Sequence, residues 1–150
     1  MEATRPVQPP DLDRCALLLA GALGEFGRHR GGAALWPLDP AALLSTWTTP
    51  DPDRAFLVGT FDSAVVGLAA GVVDRTPGRP VGRIECCYVE PEARCVGVGA
   101  ALAAALSEWF ASRECDAIDA IALPGDRATK QLLEAAGFKT RLLVLRRSLR

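Results

Sequence analysis

The sequence predicts an α/β fold of the α+β kind, in which a mixed, mostly antiparallel central sheet is flanked by helices. Apolar runs of strand length alternate with amphipathic segments of helix length along the chain. The predicted order is β-α-α-β-β-β-α-β-α-β, which favours helices packed on the faces of one sheet. No repeat, low-complexity segment or linker divides the chain, so residues 1–150 are expected to form a single domain.

Composition narrows the classes of partner. The chain is 49% hydrophobic and 23% charged, with a formal net charge of −1, as in a soluble globular protein. This balance gives no reason to expect nucleic acid or a membrane as a partner. The N-terminus has no apolar signal core, and no run approaches the about 20 apolar residues that span a bilayer. We therefore expect a cytoplasmic protein with a small-molecule partner.

The five cysteines do not indicate a metal site, and Cys86 and Cys87 are expected to be packing residues. Their number is odd, they form no Cys-x-x-Cys pair, and the chain has one histidine, so no metal site is expected. Cys86 or Cys87 as an acyl-accepting nucleophile would lack a histidine base nearby in sequence, and buried free cysteine behaves as a small hydrophobe. Cys95 differs, because a thiol at a helix start oxidises readily.

The N-terminal part of the chain is predicted to contain a short strand, a helix and a loop. Residues 4–8 are expected to form an edge strand, limited by Pro6. An amphipathic helix is expected to begin at Pro9-Pro10-Asp11 and to end near Ala22. The glycines and charges of residues 24–36 predict a loop that lies over a binding site.

A second helix is expected from Asp39 to about Trp47. Asp39 is a suitable N-cap and Pro40 suits the first helical position. Leu38 facing Leu43 would add a hydrophobic staple, in which apolar residues on either side of the cap pack together. These features place a short helix directly before the central strands.

Three strands are predicted in the middle of the chain. Two apolar runs, residues 55–61 and 65–73, are joined at Asp62-Ser63 and indicate a hairpin of central strands. A third strand covers residues 83–89 and stops at Glu90-Pro91, because proline withdraws a donor from the ladder.

The C-terminal part is predicted to contain two helices and two strands. A long helix from Ala100 precedes a strand at residues 117–123. A further helix is capped by Asp126 and ended by Gly137 as a left-handed residue, and residues 141–147 are expected to form the last strand. The buried face of the long helix is predicted from its apolar spacing as Leu102, Leu106, Trp109 and Phe110.

Glycines between the third strand and the long helix indicate an anion site. The first N–H groups of a helix lack internal partners and carry the positive end of the helix dipole, so a pyrophosphate is the natural ligand at Gly97 and Gly99. A plain tight turn is the simpler alternative. The dinucleotide fingerprint is a second rival, since Asp116 and Asp119 lie about twenty residues further on, but Leu102 occupies its third glycine position.

Three segments in one order carry a resemblance to a known family. They are Tyr88-Val89-Glu90-Pro91 at a strand end, Arg94-Cys95-Val96-Gly97-Val98-Gly99 at a helix start, and Glu134-Ala135-Ala136-Gly137-Phe138. Together they resemble the GNAT superfamily of acyl-CoA-dependent N-acyltransferases, strongly over residues 81–138. The resemblance implies a GNAT-like acyl-CoA-binding fold. That family usually has one more strand at its end, so a second subunit in a homodimer could complete this region.

The resemblance also implies a co-substrate and its contacts. Acetyl-CoA would bind with its pantetheine arm along the backbone of Cys87 and Val89, and with its pyrophosphate at the glycine turn. An amine would be the acceptor, and no metal would be required. The predicted cofactor-binding residues are Cys87, Val89, Arg94, Cys95, Val96, Gly97, Val98, Gly99, Ala100 and Asp126.

Acetyl transfer to an amine needs a base and a route for protonating the thiolate. The resemblance implies Glu85 as the base, whereas the alternative is that Glu85 is a solvated or ion-paired strand residue. The tyrosine that often acts as the acid in the family corresponds to Leu133, which cannot donate a proton. Tyr88, the only tyrosine, is the remaining candidate acid. Otherwise water protonates the thiolate, or the thiolate leaves unprotonated.

Three functions follow from this pattern. The first is an acetyl-CoA-dependent N-acetyltransferase that acts on the primary amine of a small molecule by direct attack in a ternary complex. The second is a non-catalytic acyl-CoA-binding sensor, which the leucine at position 133 motivates. The third is a protein N-terminal or lysine acetyltransferase.

Overall fold

The computed structural model describes residues 1–32, 39–76 and 78–150. Two short 3₁₀ turns, Pro9–Asp11 and Pro91–Ala93, lead from strands towards helices. The strands are β1 (Glu2–Pro6), β2 (Arg54–Phe61), β3 (Ala64–Asp74), β4 (Val81–Val89) and β5 (Ala117–Asp119). The helices are α1 (Leu12–Gly27), α2 (Pro40–Thr48), α3 (Val98–Ser112) and α4 (Arg127–Ala135).

The sheet has the predicted mixed, mostly antiparallel topology. Its strand order is β1-β2-β3-β4-β5, with β1 to β4 antiparallel and β5 parallel to β4. The hairpin between β2 and β3 turns at Asp62 and Ser63, as predicted, and both residues have positive φ angles of 46° and 71°. Turns of this handedness match the twist of antiparallel strands. The edge strand β1 lies two residues earlier than predicted.

Apolar side chains cover both faces of the sheet. On one face, α1 and α2 bury a cluster that includes Leu19, Trp47 and Leu68. On the other face, α3 buries Leu102 and Phe110, two of the residues predicted from helical spacing. Phe110 packs directly on the sheet, because a Cβ placed on Gly71 or Gly82 would lie 2.6 or 2.5 Å from its ring. These glycines allow α3 to approach the strands closely.

A β-bulge in the middle of β4 exchanges the faces of that strand. The register with β3 shifts between Ala70 and Gly71, so that Glu85 is the extra residue on β4. Before the bulge, Ile84 packs in the cluster under α3, whereas after it Cys86 packs in the cluster under α1. The bulge therefore turns Glu85 towards the side of the sheet that holds α2.

The first helix corrects one prediction. It continues five residues beyond the predicted end at Ala22, to Gly27, because Phe26 extends the buried stripe of Leu19 and Ala22 by one more turn. The predicted loop of residues 24–36 is therefore helical at its start. The proposed staple residue Leu38 lies outside the described residues. α2 begins at Pro40, with Asp39 at the N-cap position as predicted.

The C-terminal strands correct a second prediction. The strand expected at residues 117–123 ends at Asp119, and the strand expected at residues 141–147 does not form within the described segment 139–150. An isolated strand has no hydrogen-bond partner for its backbone, so an apolar pattern alone does not form one. Gly137 ends α4 with a φ of 92°, as predicted. Among the described residues, no helix is long and apolar enough to cross a membrane.

Candidate active site

A cleft opens where β4 and β5 diverge. β5 pairs only with Val81, Gly82 and Arg83, the first third of β4. Beyond this pairing, the two chain segments separate around a cleft of about 310 Å³ that reaches from α2 to α4. Its walls include Trp47, Glu85, Cys87, Ile121, Leu123 and Leu133. The cleft is therefore largely apolar, and Glu85 contributes a carboxylate to its wall.

The far half of β4 directs backbone groups towards this cleft. The N–H of Glu90 donates to the carbonyl of Val66 on β3 at 3.0 Å. Since hydrogen-bonded pairs alternate along an antiparallel ladder, Tyr88 also faces β3, whereas the N–H and C=O groups of Cys87 and Val89 point to the opposite edge. On that edge, the carbonyl of Val89 accepts a hydrogen bond from Arg94 Nε at 3.0 Å. The strand therefore offers an extended ligand a partly open edge.

The turn after β4 presents an uncapped helix start. Cys95 and Gly97 have positive φ angles of 66° and 92°, which bend the chain into α3. Gly97 is the N-cap residue, and its lack of a side chain leaves the first N–H groups, those of Val98, Gly99 and Ala100, without a side-chain capping bond. The side chain of Val98 is buried. This combination anchors the helix start in the core and leaves its first backbone donors without a side-chain cap.

Arg94 ties this turn to two neighbouring elements. Its NH2 group donates to Glu25 Oε2 on α1 at 2.6 Å, while its Nε contacts Val89 as described. The guanidinium also lies over the ring of Tyr88, 5.7 Å from the ring centre. Glu25 raises the pKa of Arg94 further through this hydrogen bond. Arg94 thus fixes the turn against α1, and it reaches an anion at the helix start only by exchanging these contacts.

Glu85 combines both interpretations that the sequence left open. It lines the cleft, as a base for the acceptor requires. It is also ion-paired, because Oε2 accepts from Arg54 NH1 at 2.5 Å and from Trp47 Nε1 at 2.9 Å. The side chains of Glu85 and Arg54 are 24% and 15% exposed. A proton accepted by Glu85 would cancel the charge that pairs with Arg54.

Tyr88 lies on the other side of the strand from the cleft. Its ring packs edge-on against Phe26 at 6.2 Å, and the phenol is buried against α1 near Gly21. Burial, with a smaller contribution from Glu25, raises the pKa of Tyr88 above its ordinary value. Tyr88 is not among the described residues that line the cleft, whereas Leu133 is. The structure therefore does not bring the two predicted catalytic residues to one wall of the cleft.

Asp126 caps the helix on the far wall. Its Oδ1 accepts from the N–H of Thr129 at 3.1 Å and its Oδ2 accepts from the hydroxyl of Thr129 at 2.6 Å. The residue is buried and belongs to the lining of the cleft. Capping, which the sequence predicted, therefore engages both carboxylate oxygens of a residue also predicted to bind the cofactor.

Cys86 and Cys87 pack in the core clusters, as predicted. Burial raises the pKa of Cys87 to about 12 and that of Cys86 still higher, so both thiols are protonated at neutral pH and are poor nucleophiles. Cys95 is exposed in the glycine turn, and Val96 beside it is also exposed. Among the described residues, no group of three or more metal-binding side chains comes together.

Sequence reasoning missed three residues that shape the site: Glu25, Trp47 and Arg54. The sequence predicts a loop at Glu25 and a helix end at Trp47, and neither residue has a spacing relation to the β4 motif. Arg54 precedes an apolar run and is 31 positions from Glu85. The bulge in β4 turns Glu85 towards Trp47 and Arg54, and a bulge leaves no readable signal in the residue pattern. Glu25 instead pairs with Arg94 from α1.

The fold and the cleft define a class of protein. A mixed sheet that splays beside an uncapped, glycine-started helix offers a strand edge to an extended ligand and a helix start to an anion. Residues 24–138 match the model of the family described as "Acetyltransferase (GNAT) family". The chain therefore belongs to the GNAT acetyltransferase family. Comparison with curated proteins found no match.

Solved structures show the same fold. The aminoglycoside acetyltransferase AAC(6')-Iy, in complex with a CoA bisubstrate analogue, is 21% identical with a TM-score of 0.72, covering 99% of both chains. A protein from Bacillus halodurans is 15% identical with a TM-score of 0.83, covering 98% of this chain and 99% of its own. An aminoglycoside acetyltransferase from an uncultured soil metagenome, in complex with sisomicin, is 14% identical with a TM-score of 0.69, covering 99% and 97%.

Proposed function

We propose that the protein is an acetyl-CoA-dependent N-acetyltransferase that acts on the primary amine of a small molecule. The observation that carries this proposal is the juxtaposition of three features: the outward-facing edge of β4 at Cys87 and Val89, the uncapped start of α3, and the cleft that begins beside Glu85. A thioester on an extended arm and an anionic pyrophosphate are the two groups that this arrangement suits. The cytoplasmic location predicted from the sequence belongs to the same proposal.

Acetyl-CoA would bind as an additional strand along β4. The backbone of Cys87 and Val89 would hydrogen-bond the pantetheine arm, with Val89 exchanging its contact to Arg94. The N–H groups from Val98 to Ala100, together with the turn residues Cys95, Val96 and Gly97, would hold the pyrophosphate. Gly97 has a φ of 92°, so a side chain here would strain the backbone, although its Cβ would meet only the end of the Glu2 side chain, at 3.5–3.6 Å.

The acceptor amine would approach from the α2 side of the cleft. Its lone pair attacks the thioester carbonyl directly in a ternary complex, so that a C–N bond forms and the C–S bond breaks as the thiolate leaves. Glu85 would accept the proton of the amine, directly or through water, with Arg54 and Trp47 holding its carboxylate in place. The position of Glu85 at the cleft supports this role, and its ion pair is the feature against it.

Among the described residues that line the cleft, there is no tyrosine to protonate the thiolate. Leu133 lines the wall where the family often carries a tyrosine, and Tyr88 is buried on the α1 side. We therefore propose that water protonates the thiolate, or that the thiolate leaves unprotonated. The same Leu133 favours the second candidate function, a sensor that binds acyl-CoA without turnover.

Free CoA thiol is the product that separates these candidates. Acetyl-CoA is incubated with aryl-alkyl amines, polyamines, aminoglycosides and peptides carrying free N-termini or lysines, and thiol release and acetylated products are measured. We expect thiol release that depends on a small amine, with one acetyl group added to that amine. Tight acetyl-CoA binding without amine-dependent release would favour the sensor, and release only with peptides would favour protein acetylation.

A further inference from the structure

Buried apolar side chains form the cleft wall on the side of α1 and α2. Trp47 is held there, because its indole N–H donates to Glu85 Oε2 at 2.9 Å and its ring packs against Phe56 at 5.4 Å. The cleft volume of about 310 Å³ is at the lower end of the about 300–1,000 Å³ of small-ligand pockets. The buried apolar residues of this wall are Phe26, Leu43, Trp47 and Leu123. A ligand on this side therefore meets aliphatic and aromatic surface.

The carboxylates of the cleft already have partners. Glu85 accepts from Arg54 and Trp47 through Oε2, so its charge is balanced by a guanidinium, and Oε1 is the oxygen left for a reacting amine. Asp126 accepts from the N–H and the hydroxyl of Thr129. These are the two acidic residues in the part of the cleft lining that the structure describes. A second ammonium group on the same ligand would therefore have to compete with these contacts.

Arg83 adds a positive charge to the same wall. A Cβ on Gly82 would lie 2.5 Å from the ring of Phe110, so Gly82 faces α3. Alternation along β4 directs Arg83 to the opposite face, which is also the face of Glu85, and Arg83 lines the cleft. Its side chain is 55% exposed, and its NH1 lies 4.0 Å from Asp74 Oδ2, a long distance for an ion pair. The guanidinium therefore repels a further positive charge that enters the cleft.

We propose that the acceptor is a monoamine with a compact apolar group, such as an alkyl or aryl-alkyl amine, and that Arg83 selects against polycationic amines. This inference rests on the proposed function, because it assigns the second substrate of the same reaction. The amine would face Glu85, and its apolar group would lie against Trp47 and Leu43. Removing that group from water contributes to binding in proportion to its apolar area.

Polycationic amines require a different kind of wall. An aminoglycoside carries several ammonium groups on a polar framework, and each of them loses water in the cleft unless a carboxylate replaces it. At the described cleft wall, the charges of Arg54 and Arg83 offset those of Glu85 and Asp126. The wall therefore gives no net attraction to a second or third positive charge.

A matched series of amines tests the acceptor class. Amine-dependent release of CoA thiol is measured with straight-chain amines from propylamine upwards, with 1,5-diaminopentane and with sisomicin as the polycation. We expect kcat/KM to rise about 3- to 4-fold per methylene until the cleft is full, since a buried CH₂ contributes ~0.8 kcal/mol and each 1.4 kcal/mol is tenfold. Pentylamine should exceed 1,5-diaminopentane by at least about 10-fold, because the second ammonium group loses water without gaining a partner.

Charge reversal at Arg83 tests its part in this selection. Arg83→Glu should reduce the preference for pentylamine over 1,5-diaminopentane by roughly 5-fold or more, which corresponds to about 1 kcal/mol. Arg83→Met keeps the apolar stem and should give an intermediate preference. Arg79→Glu is the matched control, since Arg79 is an exposed arginine just before β4 that is not part of the described cleft lining, and its preference should equal that of the wild type. Thermal unfolding confirms that each variant is folded.

The outcomes separate this inference from the function on which it rests. A flat amine series, or 1,5-diaminopentane or sisomicin acetylated as well as pentylamine, would overturn the acceptor class while acetyl transfer itself stands. An unchanged preference in both Arg83 variants would overturn the role of Arg83. Acetyl-CoA binding without thiol release for any amine would overturn the proposed function and this inference with it.

Discussion

Two regions of the molecule contain the same local features, a left-handed glycine at a helix end and an ion-paired glutamate, in different surroundings. In the turn after β4, Gly97 has a φ of 92° and opens α3, while Gly137 has the same φ of 92° and closes α4. At the cleft, Glu85 pairs with Arg54. On the same side of the sheet, just past the end of β4, Glu90 pairs with Arg14 at 2.6 Å and is 23% exposed, close to the 24% of Glu85.

The two glycines and the two glutamates differ in the groups that surround them. Gly97 leaves helix N–H groups open beside the edge of β4, whereas Gly137 ends a helix at the surface, where an added Cβ would meet nothing within 4 Å among the described residues. Glu85 accepts a second hydrogen bond from Trp47 and lines the cleft, whereas Glu90 does neither among the described contacts. Local geometry alone therefore does not identify a functional residue. Glu90 can serve as the control for Glu85 in mutational tests, and Gly137 as the control for Gly97.

The largest expected effect is on turnover, in the comparison of Glu85 with Glu90. Glu85→Gln should lower turnover by about 10²-fold or more, because general bases commonly contribute ~10²–10⁴-fold, while the Kd for acetyl-CoA stays nearly unchanged. Glu90→Gln removes the same charge from a similarly exposed ion pair and should leave turnover close to that of the wild type. Steady-state rates with the best acceptor, together with calorimetric Kd values, measure both. Equal turnover of the two variants would show that Glu85 is only an ion-paired strand residue.

The pH dependence of the rate sharpens the same comparison. With Glu85 as base and no side chain as acid, kcat/KM should show a rising limb and no falling limb up to about pH 9. Burial raises the pKa of Tyr88, so a falling limb from this phenol would lie above the ordinary tyrosine value of ~10. In Glu85→Gln, any rising limb that persists belongs to the amine itself. A falling limb below pH 9 would mean that another group protonates the thiolate.

The next largest effect is expected on acetyl-CoA binding, in the comparison of Gly97 with Gly137. Gly97→Val should weaken acetyl-CoA binding by roughly 10-fold or more, since losing one charge-assisted hydrogen bond costs about 1.5–3 kcal/mol and each 1.4 kcal/mol is tenfold. Gly137→Val imposes the same unfavourable φ on the same side chain and should lower stability similarly, by at least ~1–2 kcal/mol, without weakening binding. Calorimetry and thermal unfolding separate the two quantities. Unchanged acetyl-CoA affinity in Gly97→Val would remove the pyrophosphate site from the proposal.

The sequence predicted best what a short segment determines by itself. The apolar spacing of α3, the left-handed end at Gly137 and the cap at Asp126 depend on neighbours within a few positions, and the structure has them where expected. The mixed, mostly antiparallel sheet could also be predicted, because the hairpin and the strand–turn–helix motif restrict the topology.

The remaining features depend on distant partners. The pairing of Glu85 with Arg54 requires the bulge in β4, and the end of α1 depends on Phe26 reaching the core. The strand predicted at residues 141–147 has an apolar pattern but no partner within the described chain. A residue pattern indicates which segment can form a strand, whereas the neighbouring strand decides whether it does.

The smallest expected effect contrasts the two helix starts, the bare one of α3 and the capped one of α4. Asp126→Ala removes the acceptor for the Thr129 N–H, and loss of an N-cap costs about 1 kcal/mol, so the free energy of unfolding should fall by about that amount in a denaturant titration. Asp126→Asn keeps a capping oxygen and should recover most of this loss. The Kd for acetyl-CoA then tests the cofactor-binding role predicted for Asp126. If Asp126 only caps α4, both variants bind acetyl-CoA as the wild type does, because the donors of the bare helix start are untouched. If its charge contributes to the cofactor site, Asp126→Asn alters the Kd while leaving stability nearly intact, and the contrast between a ligand-binding and a self-capped helix start no longer holds.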